Sequence, residues 1–79
     1  MLEPNKLYKI VQTVPIRPVK SYFAQNTAML EKGSIILFLQ YHPGNVYSCK
    51  VLSGEYIGWI TIESRYKNHM DFFQKIKGQ

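Results

Sequence analysis

Acidic residues are scarce. Five Asp or Glu stand against ten Lys or Arg in 79 residues, a formal net charge of +5. Cysteine is scarcer: Cys49 is alone, so no internal disulfide can form, whereas a secreted domain of this size would carry several. That composition points to a reducing compartment, with Cys49 as a small buried hydrophobe. Long apolar runs are missing too. The longest, Ile35 to Leu39, is far too short to span a bilayer. Met1 to Lys6 shows no basic stretch leading into an apolar one, so no signal peptide is read there. The expected location is cytoplasmic, without membrane association.

Chemistry-bearing patterns are equally sparse. The five glycines are dispersed, which excludes a phosphate-cradling loop. His42, Cys49 and His69 are scattered and lack the spacing of metal ligands. Nucleophilic catalysis needs a base and an orienting acid beside the nucleophile, and Cys49 sits mid-strand on an apolar face. The sequence therefore predicts no catalytic residue, no metal, no cofactor and no enzymatic activity. The length leaves room for one domain and none for a doubly wound nucleotide fold or an eight-stranded α/β barrel.

What is present is apolar and aromatic mass. The chain is 46% hydrophobic and only 19% charged, with six Tyr, four Phe and one Trp, which excludes a disordered chain. Leu7 to Val14 reads as a strand ended by Pro15. Pro15 to Gly33 reads as a long structured loop in which Pro15 and Pro18 forbid regular pairing, with a short helical turn within Ala24 to Lys32. Pro15-Ile16-Arg17-Pro18 has the spacing of a polyproline ligand core, or simply stiffens that loop. Three closely spaced strands follow: Ser34 to Tyr41, Val46 to Leu52 and Tyr56 to Ile62. They are separated by the turn signals His42-Pro43-Gly44-Asn45 and Ser53-Gly54-Glu55. Alternation places Tyr47, Cys49 and Val51 on one face. Gly58 inside the third strand marks a bend or a close backbone approach. In the tail, Tyr66, Met70, Phe73 and Ile76 fall on one helical stripe. This predicts a helix over about 66–77, with Asp71 in its first turn, Lys75 and Lys77 near its end and Gly78 as its stop. On that helix one of Phe72 and Phe73 packs inward and Phe72 is a candidate contact. A three-strand meander exposes edges, and closing it into a barrel is the economical solution.

Leu30-Glu31-Lys32-Gly33-Ser34-Ile35-Ile36-Leu37-Phe38-Leu39 resembles the lead-in to the second strand of Src-homology-3-like barrels. Tyr47 to Ile60, ending Gly58-Trp59-Ile60, resembles their distal hairpin, in the form closer to the bacterial branch of the family. The resemblance covers about residues 7–64. It implies a mainly β chain: a small Src-homology-3-like barrel with a long first loop over Pro15 to Gly33 and a second loop over His42 to Asn45. Ile35, Leu37, Cys49, Val51 and Ile60 would be core residues, and Tyr8 and Tyr47 would be groove aromatics. The family's Pro-x-x-Tyr falls on Thr61 to Ser64, which holds neither residue, and this argues against a polyproline groove.

The charge is unevenly placed. Lys6, Lys9, Arg17 and Lys20 face only Glu3 in the first 20 residues. Arg65, Lys67, Lys75 and Lys77 face only Asp71 in the last 15, and the middle is near neutral. In a barrel whose first and last strands adjoin, Lys6, Lys9, Arg65, Lys67 and Lys75 would form one basic region. The expected function is a non-enzymatic interaction module that binds or inhibits a protein partner through Tyr8, Arg17, Tyr22, Phe23, Tyr41, Tyr47, Tyr56 and Trp59. The alternative is DNA or RNA binding on a basic, aromatic-bearing face. Small size and isolation suggest a phage or other mobile-element product acting on a host protein.

Overall fold

The computed structural model describes residues 2–18, 28–62 and 71–79, the side chains of 45–47 excepted. These form β1 (Lys6–Ile10), β2 (Val14–Ile16), β3 (Ala28–Leu30), β4 (Ile35–His42), β5 (Asn45–Ser53), β6 (Tyr56–Thr61) and β7 (Phe73–Lys75). The chain is mainly β, and every pairing is antiparallel. Five strands lie in the order β6-β5-β4-β1-β7, and β2 pairs with β3 in a second sheet. The two sheets meet at one backbone bridge. Arg17 N–H donates to Trp59 O at 2.9 Å, and Trp59 N–H donates to Arg17 O at 2.7 Å.

The meander forms where the alternating apolar runs predict it, and its turns follow their residues. Ser53 and Tyr56 pair across Gly54-Glu55, with Gly54 at φ 61°. A positive φ at the first of two loop residues is the II′ geometry that matches strand twist. His42 and Asn45 pair across Pro43-Gly44, with Gly44 at φ 85°. Pro first and a positive-φ Gly second is a type II pattern, whose twist opposes that of the strands. The register of β4 on β5 shifts right beside it, between Tyr41 and His42, and again between Phe38 and Gln40.

Several expectations are corrected. Among the described residues the sheet does not close into a barrel: β6 and β7 are its two edges, and β2 meets the β6 edge. The first strand ends at Ile10 instead of Val14. Pro15 lies inside β2, opposite Met29, where sequence predicts unpaired loop. Successive residues of a strand aim their N–H groups to opposite sides. Since the N–H of Arg17 points at β6, the nitrogen of Pro15 also turns away from β3, and the missing donor breaks no bond of that ladder. Ile16 and Arg17 are thereby held in paired backbone, so Pro15 to Pro18 is no free polyproline ligand. Ala28–Leu30 is strand where a helical turn was expected.

The C-terminal helix is also absent among the described residues. Residues 66–70 lie outside them, and Phe73–Lys75 is β7, paired with β1 through Tyr8 to Lys75 and Ile10 to Phe73. Val11 N–H extends the ladder to Phe72 O at 3.0 Å. The helical stripe is real in sequence, but β1 has an unpaired edge, and backbone pairing along it outweighs a few tenths of a kcal/mol of local propensity. Both Phe72 and Phe73 are buried, so neither is an exposed contact. Gly78, at φ 87°, reverses the chain after β7 and stops no helix.

One face of the sheet carries the core: Tyr8, Ile36, Phe38, Cys49, Val51 and Ile60 among others. Full burial of each large apolar side chain contributes about 1.5–3 kcal/mol. Tyr41, Phe38, Tyr8 and Phe73 form a chain of edge-to-face rings with centroids 4.8, 6.4 and 6.1 Å apart. Ile35 and Leu37, expected in the core, lie on the opposite face, and Ile35 is 53% exposed. Gly58 is a close approach, as its position in a strand suggests. A Cβ there would stand 2.6 Å from Arg17 O and 2.6 Å from Ile16 Cγ1, so only Gly lets β2 cross β6.

Candidate functional site

The face turned away from the core is apolar as well. Register places Leu7 opposite Leu37, Leu37 opposite Leu52, and Leu52 opposite Ile57. Four aliphatic side chains thus form one row across β1, β4, β5 and β6, with directly opposed Cβ atoms about 4.5–5.5 Å apart. Leu7 is 40% exposed and Ile57 51%. Ile35 lies two residues from Leu37 on the same face, opposite Lys9, which in turn is opposite Gln74. Trp59 and Lys50 form the adjoining row on the other side.

The two ends of the row differ in charge. At the β1–β7 end, Lys9, Ile35, Gln74, Lys75, Ile76 and Lys77 line a shallow hollow. A second hollow adjoins it, sharing Lys75, Ile76 and Lys77 and adding Glu3, Lys6, Gly78 and Gln79. Of the expected basic region, Lys6, Lys9 and Lys75 line these two hollows, Lys77 joins them, and among the described residues Glu3 is the acid that lines them. Arg65 and Lys67 lie outside the described residues. At the β6 end the turn before Ile57 carries Glu55. Beyond β7, Gln79 continues the ladder with its side chain. Its Oε1 accepts from Leu7 N–H, and its Nε2 donates to Leu7 O at 2.8 Å and to Ile76 O at 2.9 Å.

The aromatic candidates divide. Tyr8 is a correction: expected at a groove, it is 2% exposed, with its ring in the core and its hydroxyl accepting from Glu3 N–H at 2.9 Å. A satisfied hydroxyl removes the cost that would otherwise keep a tyrosine at the surface. Tyr41 is half-buried and its hydroxyl accepts from Leu2 N–H at 2.8 Å, and Tyr56 packs against the core. Burial raises the Tyr41 pKa above the usual phenol value. Arg17 and Trp59 are half-buried and share the bridge between the sheets. The Trp59 ring meets His42 edge-on at 5.7 Å, with Lys50 Nζ 6.0 Å from its centroid. His42 Nδ1 is buried without a hydrogen-bond partner among the described residues. Tyr22 and Phe23 lie outside the described residues, as does the side chain of Tyr47.

Burial pushes the Cys49 thiol up to about 12, so it stays protonated and unreactive at neutral pH. Among the described residues no three His, Cys, Asp or Glu are grouped to hold a metal ion, and no helix is long and apolar enough to cross a membrane.

Sequence reasoning missed Leu7, Leu37, Leu52 and Ile57 as surface residues. The signal was present in Ile35 to Leu39: an unbroken apolar run is apolar on both faces of a strand, and among the described residues no helix covers the outer face. No family model, no curated protein and no solved structure matches the chain.

Proposed function

We propose that this chain is a non-enzymatic interaction module of the Src-homology-3-like type, and that it binds a protein partner on the outer face of its sheet. The strand order supports the fold part of this reading. A first strand paired with the last and a three-strand meander agree with what the resemblance implies, whereas the pairing of β2 with β3 departs from its long first loop. The observation that carries the binding part is the aliphatic row Leu7–Leu37–Leu52–Ile57, exposed at Leu7 and Ile57 and half-buried at Leu37 and Leu52. A sheet face of this kind is costly in water and gains by being covered. Aliphatic side chains offer no plane on which a base stacks, which favours a protein over DNA or RNA. Trp59, beside the row, is a residue type that anchors protein contacts.

The test is affinity capture from the native host with the wild-type chain and with Ile57→Glu, each with and without nuclease. Ile57 is half-exposed, so the variant keeps the core intact. The expected result is one protein recovered stoichiometrically by the wild type, insensitive to nuclease and lost with Ile57→Glu. Recovery that disappears with nuclease, or that is unchanged by Ile57→Glu, overturns the reading.

A further inference from the structure

The proposed binding face differs in charge between its two ends, and this bears on what covers it. Lys9, Lys75 and Lys77 line the hollow at the β1–β7 end together with Ile35 and Ile76. Lys6 stands in the adjoining hollow, where among the described residues Glu3 is the acidic one. At the far end Glu55 precedes Ile57. We infer that the partner presents a polypeptide segment with an apolar anchor followed by a run of carboxylates, and that the carboxylates lie in the Lys9–Lys75–Lys77 hollow while the anchor lies on Leu7 and Ile35. This rests on the reading of the outer face as a protein-binding surface.

Three alternatives fit less well. Two copies of a chain with net charge +5 repel one another, and the lysine end of each is far more basic than the Glu55 end is acidic. A bilayer surface is uniformly anionic, so it would attract one end of the row and repel Glu55 at the other. A nucleic acid strand is anionic along its whole length and would meet the same mismatch while gaining nothing from Leu7, Leu37, Leu52 and Ile57. A segment that is acidic at one end and apolar at the other matches both halves of the face. Its carboxylates would pair with the lysines that line the hollow together with Ile35 and Ile76.

The experiment uses a synthetic peptide bearing a leucine pair followed by a glutamate run, titrated into the full chain and followed by backbone amide shifts. A peptide with Gln for each Glu, an oligothymidylate and phosphatidylserine vesicles serve as comparison probes. The expected result is saturable binding of the acidic peptide alone, with shifts at Lys9, Ile35 and Gln74 to Lys77. Lys9→Glu combined with Lys75→Glu should weaken it by about tenfold or more, since like charges brought together cost more than an exposed pair gains. Lys32→Glu, on the turn before β4, changes the net charge without entering the hollow and should weaken it less than about twofold, by screening over a Debye length. All three lysines are exposed, and a dispersed amide spectrum confirms that each variant is folded. Absence of binding, equal loss in the double variant and Lys32→Glu, equal or tighter binding of the Gln peptide, oligothymidylate or vesicles, or self-association at titration concentrations overturns the inference. If the acidic peptide fails while Ile57→Glu still abolishes capture, the partner chemistry is wrong and the protein-binding face stands. If the peptide binds while capture ignores Ile57→Glu, the broader reading is what fails.

Discussion

Cys49 shows how far a single residue's surroundings alter its chemistry. Its thiol has no exposed surface, and burial lifts its pKa to about 12. In the unfolded chain a thiol titrates near 8.5. Folding therefore binds a proton more tightly. The contribution is complete below about pH 8.5 and is lost as pH rises toward 12, at up to about 1.4 kcal/mol per pH unit. The raised pKa of Tyr41 acts with the same sign at higher pH. Denaturant unfolding of wild type and Cys49→Ala, followed from about pH 8 to about pH 11, isolates the effect. Cys49→Ala should start less stable, through the cavity it leaves, and fall less steeply. Parallel slopes would show that the thiol titrates alike in both states. The burial of Cys49 was readable in the sequence because Ser48 and Lys50 flank it with polar side chains, although Ser48 is itself buried.

At the scale of the element, β4 poses the opposite problem. Ile35-Ile36-Leu37-Phe38-Leu39 has no polar residue to mark a face, and a shift of one residue exchanges core for surface. The resemblance placed Ile35 and Leu37 inside, whereas Ile36 and Phe38 are the buried pair. The difference is measurable. Ile36→Ala should cost about 2–5 kcal/mol as a core truncation, and Ile35→Ala less than about 0.5 kcal/mol, in equilibrium unfolding. Equal costs would mean that the outer face is packed. Turns and strand number were legible because Gly44, Gly54 and the prolines act locally. The fate of residues 71–77 was not, because the edge of β1 that recruits Phe73–Lys75 lies far away in sequence. The candidate site was half legible. Its lysines could be grouped once the first and last strands were taken as neighbours, but the aliphatic row depends on register, which no single strand reveals. Gln79 was not foreseen either, since an amide side chain standing in for a strand residue leaves no periodic trace.

For the whole molecule, the decisive arrangement is that β1 lies between β4 and β7. Its first neighbour is moderately distant in sequence, and its second brings Tyr8 against Lys75. Contacts of such long range are won only after a large loss of chain entropy. Refolding from denaturant should therefore fall in the millisecond-to-second regime of non-local β topologies, by stopped-flow Trp59 fluorescence. A relaxation completed within about 100 μs would contradict a sheet organised in this way. The same arrangement has a consequence during synthesis. β1 is made before the meander and long before Phe73–Lys75, so one of its edges stays unpaired after the rest of the sheet has assembled. In that interval the growing chain presents Leu7 to Ile10 as an open template to its neighbours, a window of aggregation that closes only when the seventh strand arrives.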